Sequence, residues 1–204
     1  MTQRKAAEEK TRQRILVSAR KLLFGKDFPG FSMEAVARAA NVSRLTVYYQ
    51  FESKAGLLEA LYNDIARRGG MATLGEVFRR GNDPVTLLHE FIRVFVHFWA
   101  SERDVIRRLH GLGALDTVIG NGLRERNERR RKGLSVILES FFRRRGEYTL
   151  MQDSVPIDTL HMLTSFETYD ALAGKERSEE EVVQILIKMV YFAIGFFPRS
   201  IGPR

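Results

Sequence analysis

Between Ser43 and Gln50 the chain reads SRLTVYYQ. Arg44 offers a forked cation, Ser43 and Thr46 offer hydroxyls, Tyr48 and Tyr49 offer phenols, and Gln50 offers an amide. Groups of this kind bond phosphate oxygens and the edges of nucleic-acid bases. Arg44 lies near the start of the segment, where it can reach a guanine, and Leu45 could touch a thymine methyl. Val47 faces inward, and Phe51 closes a small core.

The flanking residues supply the helices that would hold this segment. From Thr11 the pattern turns helical, with Ile15, Leu16, Ala19, Leu22 and Leu23 on one apolar face. Gly25 and Pro29-Gly30 end that helix, and Phe28 and Phe31 flank the break. The charged residues 1–10 read as a frayed tail. Ser32 is a good N-cap for a second helix, whose inward face is Met33, Val36, Ala37 and Ala40. Asn41 tolerates the left-handed backbone of a tight turn. Ser43 caps the third helix and Ser53 a fourth, which starts Lys-Ala-Gly-Leu-Leu. Helix N-termini favour phosphate, which adds Ser32 and Lys54 to the candidate contacts. The predicted DNA-binding set is therefore Ser32, Ser43, Arg44, Leu45, Thr46, Tyr48, Tyr49, Gln50 and Lys54.

This stretch resembles the TetR family of bacterial repressors. The matching residues are Ser32, Val36-Ala37, the turn Asn41-Val42-Ser43, Thr46-Val47-Tyr48, Phe51, Ser53-Lys54 and Leu57-Leu58, with Ile15, Ala19 and Leu23 in the first helix. The resemblance covers residues 11–62. Asn41 stands where the family commonly has a turn glycine, Leu45 where it has a small residue, and Gln50 where it often has His or Tyr. The resemblance implies an all-α chain. A helix-turn-helix DNA-binding domain would occupy residues 1–60. An all-helical ligand-binding and dimerisation domain would occupy residues 61–204.

Beyond residue 62 the helical signals continue. Helix starts are expected near Asp83-Pro84, after Ser101, near Asp116, after Pro156 and after Ser178, with long helices over 84–100, 117–145, 157–172 and 179–197. No alternation argues for a sheet. Phe91, Phe95, Phe98 and Trp99 share one broad face of the first of these. With His110, Leu112, Phe141, Leu160, Met162, Leu163, Phe166 and Tyr169 they could wall a cavity for an apolar ligand. The same spacing equally suits plain core packing. The candidate ligand contacts are Phe95, Trp99, His110, Leu112, Phe141, Met162, Phe166 and Tyr169. The last helix, from Val182 to Phe196 and Phe197, is apolar almost all round in its second half. That is expected of a homodimer interface shared with helix 157–172 or of a central buried helix.

The formal net charge of +8 and a pI near 10.0 favour a polyanionic partner. Much of that charge lies elsewhere, because Arg124 to Arg145 carries nine basic residues against three acidic. That run is either a solvated helix face or a site for an anionic ligand or partner. With no cysteine, disulfides, zinc–thiolate sites and thiol catalysis are excluded. None of the 4 histidines forms an i,i+4 pair, so no metal is expected. No phosphate-binding glycine loop, nucleophile elbow or other catalytic constellation appears, so neither an enzyme nor a cofactor is expected. The charged N-terminus is no signal peptide, and no apolar run would span a bilayer, which implies a cytoplasmic location.

These signals imply a homodimeric repressor that binds a near-palindromic double-stranded DNA operator and is released by a small apolar or amphipathic effector, with no membrane association. A DNA-bound adaptor that recruits a protein partner would use the same reading helix. A further alternative is a helical ligand-binding protein that does not bind DNA and whose helix-turn-helix is only structural.

Overall fold

A computed structural model of the chain describes residues 3–24, 31–81, 83–147, 153–174 and 176–194. Among them the elements are α1 (Gln3–Phe24), α2 (Met33–Ala39), α3 (Arg44–Phe51), α4 (Lys54–Arg68), α5 (Ala72–Arg79), α6 (Pro84–Ser101), α7 (Arg103–Gly113), α8 (Thr117–Arg145), α9 (Val155–Leu163), α10 (Phe166–Ala173) and α11 (Glu179–Ile194). No strand occurs among the described residues. None of the described helices is long and apolar enough to cross a membrane.

The chain divides into two compact units, the first Met1–Arg68 with Asp104–Glu125, the second Gly69–Arg103 with Arg126–Arg204. In the first, α1 packs on α2 and α4, and α3 packs on α2 and α4. Its core is the apolar face expected of these short helices: Ile15, Ala19 and Leu23 from α1, Val36 and Ala37 from α2, Val47 and Phe51 from α3, and Leu57, Leu58 and Leu61 from α4. Helices of seven or eight residues are marginal alone, so this shared burial is what holds them. Gly56 lets the first turn of α4 approach the end of α3, where a Cβ would collide with the Phe51 carbonyl. Gly122 on α8 likewise makes room for the Tyr62 ring, whose hydroxyl donates to the Ile119 carbonyl at 2.9 Å.

In the second unit α11 packs on α6, α9 and α10, and α5 packs on α6. Asp83 caps α6 by accepting from the Val85 and Thr86 amides, with Pro84 at the first helical position. The apolar stripe of α6 is buried along its length, from Leu88 through Phe91, Ile92, Phe95 and Val96 to Trp99.

Three features depart from the sequence reading. Residues 3–10 are not a frayed tail but the first turns of α1, supported by surface i,i+4 contacts of Arg4 with Glu8 and Gln13 with Glu9. The helix α5 was not anticipated, because Met71 makes no side-chain cap and Val77 is its one buried residue. The single helix expected over 157–172 is two, broken at Thr164-Ser165. There the Thr164 hydroxyl donates back to the Leu160 carbonyl, and Ser165 takes extended backbone and caps α10 through the Thr168 amide. The expected helix end at Gly25 and Pro29-Gly30, the Phe28 plug, and Phe196 and Phe197 lie outside the described residues.

Candidate DNA-reading helix and its supports

The third helix is placed by two caps and two anchors. Ser32 Oγ accepts from the Ala35 amide at 3.1 Å and starts α2. Asn41 then takes a positive φ of 50°, the conformation that lets the chain reverse within a few residues. Ser43 Oγ accepts from the Thr46 amide at 3.0 Å and shares a 2.8 Å hydrogen bond with the Thr46 hydroxyl. At the far end Arg12 donates to the Gln50 carbonyl at 2.6 Å, and its guanidinium lies 4.4 Å from the Phe51 ring centroid. Glu52 adopts a positive φ of 61°. Ser53 then caps α4 through the Gly56 amide at 3.0 Å.

With Val47 and Phe51 turned inward, the opposite face of α3 stands in solvent. Leu45 is 78% and Tyr49 72% exposed. Nothing in the fold of the first unit needs an apolar side chain and a phenol there. Arg44 is also exposed, but its head is positioned: Nη1 pairs with Glu34 of α2 at 2.6 Å, and Nη2 donates to the Tyr48 hydroxyl at 3.3 Å. The Tyr48 hydrogen bond, then the Glu34 carboxylate, hold the guanidinium above its ordinary value. Arg44, Leu45, Thr46, Tyr48 and Tyr49 therefore form one cluster, with Ser43 at its N-terminal edge.

The other candidates are placed differently. Ser32 is occupied as a cap. The Gln50 backbone is held by Arg12. Lys54 is paired with Asp116, which caps α8 by accepting from the Val118 and Ile119 amides at 3.0 and 3.3 Å. Burial works to raise the Asp116 carboxyl, and Lys54 and the two amides outweigh it and hold it low. The roles of Glu34 and Arg12, and the pairing of Asp116 with Lys54, escaped the sequence reading. An acid in the first turn of one helix and a base in the first turn of another give no periodic signal that they will meet.

Among the ligand candidates, Phe95, Trp99, Phe166 and Tyr169 form one buried row in the second unit. Ring centroids are 5.6 Å apart from Phe95 to Trp99, 5.7 Å from Trp99 to Phe166 and 6.4 Å from Phe166 to Tyr169. Phe91 extends the row at 4.6 Å from Phe95. Phe141 is buried beside Phe142 at 5.5 Å. Met162 stands 60% exposed on α9. His110 and Leu112 belong to α7 in the first unit. A shallow depression elsewhere in the second unit is lined by Ser135, Leu138, Glu139, Phe142, Asp153, Pro156 and Ile157, none of them a predicted contact.

Comparison with known proteins agrees with this geometry. The sequence profile of bacterial regulatory proteins of the tetR family matches residues 15–61, the stretch that builds α3 and its supports. The HTH-type transcriptional regulator EthR of Mycolicibacterium smegmatis is 30% identical over 93 residues, which span 46% of this chain and 43% of that relative. Among solved structures, NalD of Pseudomonas aeruginosa, described as the secondary repressor of the MexAB-OprM multidrug efflux pump, superposes with a TM-score of 0.66 at 22% identity. The match covers 92% of this chain and 96% of that one. Thermus thermophilus FadR, a TetR-family repressor solved with lauroyl-CoA, superposes with a TM-score of 0.55 at 20% identity over 95% of this chain and 99% of that one. Residues 15–61 thus carry a helix-turn-helix similar to that of the tetR family of bacterial regulatory proteins, and the chain shares the helical fold of TetR-like regulators.

Proposed function

We propose that the chain is a homodimeric, cytoplasmic, non-enzymatic repressor. Residues 1–60 of each copy would read one half of a near-palindromic operator, and residues 61–204 would hold the effector and the dimer face. The observation that carries the reading is the outer face of α3. Leu45 and Tyr49 stand in water beside a braced Arg44, on a helix whose inner face is fully used by the core. In the major groove these groups would meet base edges, while Ser43 and Thr46 at the helix start would meet phosphate.

Dimerisation is supported by exposed apolar side chains on α9 and α11. Met162, Met189 and Phe192 are in solvent, the last 80% exposed, and a second copy would cover them. Two reading helices about 34–36 Å apart would then fit successive major grooves. The buried row Phe95, Trp99, Phe166 and Tyr169 is where a small apolar or amphipathic effector would insert. Its release of the operator requires a higher affinity for the form that does not fit DNA. NalD and FadR, both described as repressors, support that sign of regulation.

Selection from a randomised duplex pool at about physiological salt tests the reading. Wild type should enrich a short palindrome, and an Arg44→Ala, Tyr49→Ala double variant should not. Sequence-blind, salt-sensitive binding by both proteins would overturn it.

A further inference from the structure

We infer that Arg130 anchors an anion site inside the second unit, which takes the carboxylate head of an amphipathic effector. This rests on the reading of that unit as the effector domain.

The basic run 124–145 is not uniform. Arg124, Arg129, Lys132 and Arg143 to Arg145 face solvent, and Arg131 pairs with Asp158 at 2.6 Å. Arg130 instead turns inward and is 5% exposed. Its Nη1 donates to the His161 carbonyl at 2.7 Å and to Thr164 Oγ1 at 2.6 Å, and Nη2 donates to Asn127 Oδ1 at 3.3 Å. Its Nε is buried and has no acceptor. No carboxylate contacts this guanidinium, and the Glu167 carboxylate acts on it only from a distance. Arg103, a half-buried arginine of the same unit, meets Asp170 at 2.6 Å as well as two carbonyls. A buried cation is normally paired, because desolvation without a counter-charge is costly. Burial draws the Arg130 guanidinium down to about 10, so it still carries its charge at neutral pH.

The group that would fit this guanidinium has a definable shape. With Nη1 fully used, the open edge is Nε together with the weakly held Nη2. Two parallel N–H groups at that spacing match the two oxygens of a carboxylate. The apolar part of the ligand is specified by the neighbours. Thr164, which accepts from Arg130 through its hydroxyl, accepts from Trp99 Nε1 through its carbonyl at 3.3 Å. Trp99 in turn lies against Phe95, Phe98 and Phe166. Cation and aromatic row thus meet at one residue, at the break between α9 and α10. That break is the seam through which the sealed Nε would be reached. A head group seated there would draw Arg130 from the His161 carbonyl and loosen the C-terminal end of α9, the helix that presents Met162.

The test is isothermal titration of the full chain with decanoate and with decanol, which share a tail and differ in charge. Wild type is expected to bind decanoate at least about tenfold more tightly than decanol. Arg130→Lys, which keeps the charge and loses the fork, should lose most of that preference, and Arg130→Met should lose all of it while still binding decanol. Circular dichroism checks that both variants are folded. If neither folds, the wild-type ratio alone decides. Equal wild-type affinities, or an undiminished preference in Arg130→Met, would overturn the anion site and leave Arg130 as a cap on the end of α9, with the effector reading intact. Binding of neither compound would overturn the inference and count against that reading too.

Discussion

The tip of α3 and the break between α9 and α10 each centre on an arginine, and the two are treated in opposite ways. Arg44 lies in water and is given a carboxylate, Glu34, and a phenol, Tyr48. Arg130 lies in the protein interior and is held by carbonyl, amide and hydroxyl oxygens, with the Glu167 carboxylate acting on it only from a distance. A surface ion pair contributes little to stability, so Glu34 serves mainly to aim a side chain that the fold does not require. A buried cation with no acid in contact is costly to keep, and it fixes the path of the chain at the break by holding the freed end of α9. The aromatics divide in the same way. Tyr49 is left in solvent, whereas Trp99, Phe166 and Tyr169 are stacked out of it. Where side chains are spent on the surface the structure points to a partner, and where they are buried it first points to stability.

The contrast can be broken most forcefully at Trp99. Trp99→Ala removes a ring in contact with Phe95, Phe98 and Phe166 and leaves the Thr164 carbonyl short of a donor. Urea denaturation is expected to report a loss of about 3–5 kcal/mol. A loss below about 1 kcal/mol would show that the row is loosely packed and already open to a ligand.

Arg44→Ala should do the reverse. The unfolding midpoint should stay in place, while discrimination for one base pair of the operator falls roughly 10- to 100-fold. Competition binding with single-base operator variants measures this. A uniform loss over all sequences would assign Arg44 to phosphate instead.

Acid should act on the second unit. His89 and His161 are both held below the usual imidazole value, first by burial and then by the cations Arg93 and Arg130 respectively. Because the folded state resists their protonation, their contribution is complete above about pH 6.5 and is lost as pH falls through the lowered folded values. The melting temperature should therefore decline from pH 7.5 to pH 5. The decline should be shallower in His161→Gln, and an identical profile would remove His161 from the account.

The smallest expected effect is at Leu45. Leu45→Ala should change stability by no more than about 0.5 kcal/mol, because the side chain is in water in the isolated chain. Operator affinity should nonetheless fall measurably, and unchanged affinity would take Leu45 out of the interface.

Helices α2 and α3 were legible because their signals are local. Ser32 and Ser43 cap the helices they were expected to cap, Asn41 takes the left-handed turn, and Val47 and Phe51 point inward because helical spacing puts them there. The break at Thr164-Ser165 was not legible. The apolar positions continue across it, and the groups that satisfy its carbonyls come from Arg130 and Trp99, more than 30 residues away in sequence. Lys54 was read as a cation free for phosphate for the same reason, since its partner Asp116 lies 62 residues on.

Periodicity and local caps alone therefore determined helical segments along the chain, short helices joined by a tight turn near its N-terminal end, and which face of α3 is left outside, because caps, turns and amphipathic stripes act within a few residues. Tertiary structure decided which charges are paired, which arginine of a basic run is buried, and which aromatics share a core. Those outcomes depend on desolvation and on contacts between residues distant in sequence, and no local pattern encodes them.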